Sequence, residues 1–189
     1  MPAVLVHGVP DTHRIWDTVR PYLERKDIIT IDLPGFGNQL PSDFRSTKEE
    51  YLDWLINRIA EIGEPVDLVG HDWGSLFTGR LASIRPELVR TWTGISGPID
   101  PEYPWHYLAK IWQTPGEGEQ WMQDLDLEEF AANLVEAQMP KDAADEAVRH
   151  MDATMRASIL ALYRSAIEVG GQGALGHQPK RKLQPTNDN

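Results

Sequence analysis

Apolar residues in this chain follow two rhythms. Short runs rich in aliphatic and β-branched residues stand at positions 3–6, 28–31, 66–69 and 89–95, each bounded by turn formers, and predict buried strands. Helical periodicity fills the intervals. Residues 13–25 place Ile15, Trp16, Val19 and Leu23 on one face, with Asp11 or Thr12 as the cap. The clearest helix carries Tyr51, Leu52, Leu55, Ile56, Ile59 and Ile62 at helical spacing. Ser46-Thr47-Lys48-Glu49 matches a capping box with Ser46 as the cap, and Gly63 ends the helix. Another helix, over 76–84, stops before Pro86.

Strands alternating with amphipathic helices predict an α/β fold, a parallel sheet with helices on both faces. Ligands of such sheets bind at the carboxyl ends of the strands. His7-Gly8-Val9-Pro10, Pro34-Gly35-Phe36-Gly37, Asp72-Trp73 and Gly97-Pro98 all follow strands and should meet on that rim. From 98 to 168 the pattern is wholly helical, with segments at 105–112, 119–125, 128–138, 142–150 and 151–166 and many Trp, Tyr and Met. Residues 169–189 have neither period and little hydrophobic content, the composition of a disordered tail. The expected division is therefore 1–97, an α/β core; 98–168, a helical cap; and 169–189, a tail.

Composition narrows the classes. A hydrophobic content of 41% over 189 residues supports a real core, and a formal net charge of -11 argues against nucleic acid or an anionic membrane as partner. No apolar run approaches the ~20 residues of a membrane span. Absence of cysteine excludes disulfides, thiol catalysis and thiolate metal sites, and fits a cytoplasmic setting. The oligomeric state is open.

The chemistry concentrates in Val66-Asp67-Leu68-Val69-Gly70-His71-Asp72-Trp73-Gly74-Ser75. A strand runs into Gly-x-Asp-x-Gly and then a helix, so strand and helix must approach too closely for a Cβ at 70 or 74. Asp72 at the apex is expected to adopt a strained backbone, with its side chain above the sheet at a helix N-terminus. Ser75 is not equivalent, because its own flanking positions hold Trp73 and Phe77. A carboxylate in this place attacks saturated carbon, opening an epoxide or displacing a halide, and forms an alkyl ester that water then cleaves.

With His7-Gly8-Val9-Pro10, Pro34-Gly35-Phe36-Gly37 and Gly70-His71-Asp72-Trp73-Gly74 in this order, residues 2–168 resemble the α/β-hydrolase superfamily. They are most similar to its aspartate-nucleophile branch, the epoxide hydrolases and haloalkane dehalogenases. The resemblance implies an oxyanion hole from the backbone N–H groups of Val9 and Trp73, a small apolar substrate, and no metal or cofactor. It implies substrate contacts from the cap, with Trp105, Tyr107 and Trp112 as the positions expected. Val9 has no side-chain donor, so a halide would rest on Trp73 with Trp105 or Trp112; an epoxide oxygen would look to Tyr103, Tyr107 or Tyr163. His7 is expected to be structural. The family continues with further strands, an acid and a base histidine. Here Asp100 stands at an alternative acid position, His106 and His150 fall on cap helices, and His177 falls in the tail. The chain is therefore expected to lack the last core strands, as after a premature junction. A catalytically incomplete remnant or small-molecule binder is the alternative reading.

Overall fold

The structure is a computed structural model that describes residues 1–97 and 104–167. Four parallel strands, β1 (Ala3–Val6), β2 (Ile28–Ile31), β3 (Val66–His71) and β4 (Val89–Ile95), form one sheet in the order β2-β1-β3-β4. All four run the same way, so the segments after Val6, Ile31, His71 and Ile95 leave from one rim. The register pairs Val6 with Gly70, and Gly70 with Gly94, along that rim.

One face of the sheet is packed by α1 (Lys48–Ala60) and α2 (Trp73–Ile84), through Tyr51, Leu55, Ile59, Phe77 and Leu81 against Val4, Val66 and Leu68. Alternation puts Ala3 and Leu5 on the other face, beneath Trp16. Residues 13–25 do not form the predicted helix there. They make two 3-10 turns, His13–Trp16 and Arg20–Tyr22. Pro21 lacks an N–H and its ring would clash with a helical carbonyl four residues back, which stops propagation. Val19 and Tyr22 consequently point to solvent.

The capping box of α1 is shifted by one residue from expectation. Thr47 is the cap and Glu50 returns to it, while Ser46 takes a positive φ of 58° and buries its hydroxyl 3.1 Å from Ser158 Oγ. Gly63 ends the segment in the left-handed conformation, as expected.

Five helices follow: α3 (Tyr107–Gln113), α4 (Glu117–Asp124), α5 (Leu127–Glu136), α6 (Lys141–Arg149) and α7 (Ala153–Arg164). They share one continuous apolar core with the sheet layer, in which Leu33, Phe36 and Trp73 meet Met155, Ile159 and Tyr163. The loop after β2 is pinned between the layers. Tyr51 Oη donates to Pro34 O at 2.8 Å, and a Cβ on Gly35 would fall 2.5 Å from Ser158 Oγ. Among the described residues no helix is long and apolar enough to cross a membrane. The positions named above at 98, 100, 103 and 177, and the 169–189 segment, lie outside the described residues.

At the opposite end of the sheet, Asp67 is buried and gathers Arg25, Arg90 and Thr91. The Arg90 guanidinium first, then Arg25, holds its carboxyl well below the usual carboxylate range. A carboxyl depressed in this way stabilises the fold above its unfolded pKa, and that stability is lost as pH falls below it. Asp67→Asn should cost about 1–3 kcal/mol in urea unfolding at pH 7. The difference from the native chain should narrow as the pH drops below the ordinary carboxylate value; a constant difference would contradict this electrostatic account.

Candidate active site

Asp72 links β3 to α2 with φ 52° and ψ −121°, a conformation rarely held by a residue with a Cβ. Its surroundings impose it. The Asp72 N–H donates to Ile95 O at 2.9 Å, and the Ser75 N–H donates back to Asp72 O at 2.9 Å. Ser75 Oγ lies 2.7 Å from Gly70 O and accepts the Ile95 N–H at 2.9 Å, so this buried hydroxyl clamps the elbow to β4. A Cβ at Gly70 would lie 2.3 Å from Gly74 O, and one at Gly74 would lie 2.3 Å from Val6 O. The two glycines are therefore needed at the spacing read from the sequence.

The Asp72 carboxyl faces the turn after β1. Val9 N–H donates to Asp72 Oδ1 at 2.9 Å, and the Trp73 amide also supports the carboxylate. Gly8 makes room, since a Cβ there would fall 2.3 Å from that same oxygen. Asp72 keeps part of its surface open, while protein closes around the carboxyl from most sides. That desolvation pushes its pKa up to about 6; the Val9 and Trp73 amides pull in the opposite direction without cancelling it.

His7 is wholly buried beneath the turn. Its Nδ1 is 2.7 Å from Gly8 O and its Nε2 accepts the Leu33 N–H at 3.0 Å, so the ring is neutral and structural. Burial lowers its pKa, consistent with that state. Behind it, His13 Nδ1 meets Asp32 Oδ2 at 2.8 Å. A second pair lies beside Asp72, where His71 Nδ1 stands 3.6 Å from the buried carboxylate of Asp11.

The five site positions other than Asp72 fall in different places. The amides of Val9 and Trp73 converge on Asp72. Trp105 stacks on Trp73 with ring centroids 5.7 Å apart, and Tyr163 closes edge-on at 5.3 Å from Trp73. Trp112 is buried one ring further out, 4.9 Å from Tyr163, and packs between helices. Tyr107 is not brought to this cluster. It is 79% exposed and lines a groove of about 580 Å³ with Trp121 and Phe130. The reason is helical geometry: α3 buries Ala109 and Trp112, and Tyr107 stands about 200° around the axis from Ala109. Of the histidines in the helical segment, His106 caps α3 by accepting the Ala109 N–H at 3.1 Å. His150 pairs with Glu146 at 3.0 Å and packs near Gly37, on the rim.

The family model described as "Alpha/beta hydrolase family" matches residues 3–181. The chain belongs to that family. This hydrolase is 40% identical over 91 residues to a pimeloyl-[acyl-carrier protein] methyl ester esterase of Legionella pneumophila, covering 48% of this chain and 35% of the relative. It is 28% identical over 121 residues to epoxide hydrolase 4 of Mus musculus, covering 59% of this chain and 33% of the relative. The chain thus spans about a third of the length of these curated relatives. The crystal structure of haloalkane dehalogenase DbeA from Bradyrhizobium elkani superposes with a TM-score of 0.70 at 23% identity, over 92% of this chain and 66% of that one, a likeness of fold.

Asp11 and His71 were not singled out from the sequence. Asp11 looked like a helix cap, but Thr12 takes that role for Arg14, which leaves Asp11 to turn inward. The available signal was a histidine directly before Asp72 and an acid two positions after Val9.

A carboxyl whose folded pKa lies above its unfolded value binds its proton more tightly when folded, so stability falls as pH rises through that interval. For Asp72 this runs from the ordinary 3.8 to about 6, on the order of 3 kcal/mol at most. Asp72→Asn should therefore melt at higher temperature than the native chain at pH 8, and at nearly the same temperature at pH 4. A native chain that matches Asp72→Asn at both pH values would contradict the burial of a charged carboxylate.

Proposed function

We propose that this hydrolase acts on small apolar epoxides or haloalkanes, with Asp72 as the nucleophile that forms an alkyl-enzyme ester. The observation that carries the reading is the Val9 N–H, 2.9 Å from Asp72 Oδ1, reaching the apex of a strained strand–helix elbow from a neighbouring strand. With Oδ1 held by the Val9 N–H, Oδ2 is the attacking oxygen. A new bond forms from Oδ2 to the substrate carbon. An epoxide C–O bond breaks with its electron pair moving to oxygen, which takes up a proton; a haloalkane releases halide instead. Water, giving up a proton to a base, then adds to the ester carbonyl carbon, and the charge that develops on the other carboxyl oxygen faces the Val9 amide. Collapse breaks the bond from that carbon to the alkylated oxygen, which leaves as the alcohol after taking up a proton, and the Asp72 carboxylate is restored. Preorganised donors of this kind are worth roughly 3–4 kcal/mol each.

Residues 104–167 serve as a cap, and the stacked indoles of Trp73 and Trp105 with Tyr163 form an apolar wall beside the nucleophile. An acid at the apex, where esterases of this fold would need a hydroxyl, favours epoxide or haloalkane over ester. Relatives and neighbours named for esters, epoxides and haloalkanes are similar to this one chain.

One observation favours a second reading, a chain that binds or is alkylated without turning over. No hydrogen bond joins an imidazole of the described residues to Asp72, whereas ester hydrolysis needs a general base worth about a hundredfold to ten-thousandfold. Incubation with a small reactive epoxide or bromoalkane, followed by peptide mass spectrometry, separates the two. The nucleophile reading expects a mass gain on the Asp72 peptide that is absent in Asp72→Asn. Its rate should fall about tenfold per pH unit below about 6, as the carboxylate is protonated. Adduct with slow release means a missing base; release that depends on His71 or His150 identifies it. No adduct and no turnover overturns the reading in favour of the binder.

A further inference from the structure

We infer that Asp11 and His71 form a charge pair that positions the Val9 amide and controls the ionisation of Asp72. The inference rests on Asp72 being the nucleophile of the proposed reaction, and Asp11 and His71 act on it as positioning residues.

The geometry links three groups. Asp11 closes the turn after β1 by donating its N–H to Gly8 O at 3.1 Å, and Val9 inside that turn donates to Asp72 Oδ1. The Asp11 carboxylate is buried at 4% exposure, so it needs a counter-charge, and its ion-pair partner is His71 at 3.6 Å. His71 is the last residue of β3 and precedes Asp72 directly. Its Nδ1 is buried and has no hydrogen-bond partner among the described residues, so the Asp11 carboxylate 3.6 Å away is the charge it meets. Trp16 meets the imidazole edge-on, with ring centroids 6.4 Å apart. The pair therefore ties the Val9 turn to the strand that carries the nucleophile.

The electrostatics follow from the same placement. Asp11 opposes ionisation of Asp72, protonated His71 favours it, and Asp11 raises the pKa of His71. The remaining titratable groups packed against the turn are His7, held neutral by Gly8 O and the Leu33 N–H, and the Asp32–His13 pair behind it. Removing the imidazole takes away the positive charge that favours ionisation of Asp72, and removing the Asp11 carboxyl takes away the negative charge that opposes it. The two substitutions must therefore move Asp72 in opposite directions.

The test is the pH titration of the Asp72 carboxyl carbon by NMR in the full chain, in parallel with the pH profile of adduct formation. His71→Gln should raise the Asp72 midpoint by about one pH unit, and Asp11→Asn should lower it by a similar amount. The acid limb of the adduct rate should shift with it. Should His71→Gln fail to fold with its unpaired buried carboxylate, the double variant D11N/H71Q replaces it, and its midpoint is expected between those of the native chain and Asp11→Asn. A purely structural pair would slow the reaction at all pH values with no movement of the midpoint. Unmoved midpoints, or shifts in the same direction, overturn the inference. If the native chain forms no adduct, the nucleophile reading fails, while the NMR midpoints still decide whether the pair controls Asp72.

Discussion

The structure turns on a backbone conformation that costs energy. Holding an aspartate at positive φ is worth of order 1–3 kcal/mol of strain, and it persists only where the surroundings over-determine it. Here four contacts do so: the Asp72 N–H on Ile95 O, the Ser75 N–H on Asp72 O, and the Ser75 hydroxyl between Gly70 and Ile95. The glycines at 70 and 74 let strand and helix come within the distance that the elbow requires. The parallel sheet supplies the rest of the constraint, because β1 and β4 flank β3 and bring their carboxyl-end loops to the same apex.

That constraint also decides the electrostatics. The elbow lifts the carboxyl out of the sheet into a space closed by the Val9 turn on one side and an aromatic wall on the other. Desolvation then raises the pKa of Asp72, and the backbone amides and the Asp11–His71 pair set how far. A carboxylate that is poorly solvated, yet supported on one oxygen, is a better nucleophile through the other. The helical layer contributes by joining the same apolar core, so the wall is fixed by packing rather than by the loop alone.

Much of this was legible in the sequence because it rests on short-range steric rules. The four strands, the glycine spacing around Asp72 and the converging loops follow from local pattern and parallel topology, whereas the amides of Val9 and Trp73 were expected from the family resemblance. What failed depended on competition or on orientation. Pro21 overrode an amphipathic pattern over 13–25, and Ser46 gave up its capping role to reach Ser158, 112 residues away. Tyr107, expected from the resemblance among the substrate contacts, lies by the rotation of α3 in the outer groove, an orientation that residue type does not specify. Asp11 and His71 were hidden because each has an ordinary local role; only the fold shows them facing one another. Of the two indoles expected from the helical segment, Trp105 stacks on Trp73 and Trp112 packs against Tyr163.

The central claim is that Asp72 is a nucleophile that attacks through Oδ2 while the Val9 amide holds Oδ1. It is tested most directly by a crystal structure of the full chain reacted with a small bromoalkane at a pH above the Asp72 midpoint. The account predicts continuous density from Asp72 Oδ2 to the alkyl carbon, with Oδ1 still within hydrogen-bond distance of Val9 N. An unmodified Asp72 beside alkylation at another residue would contradict it.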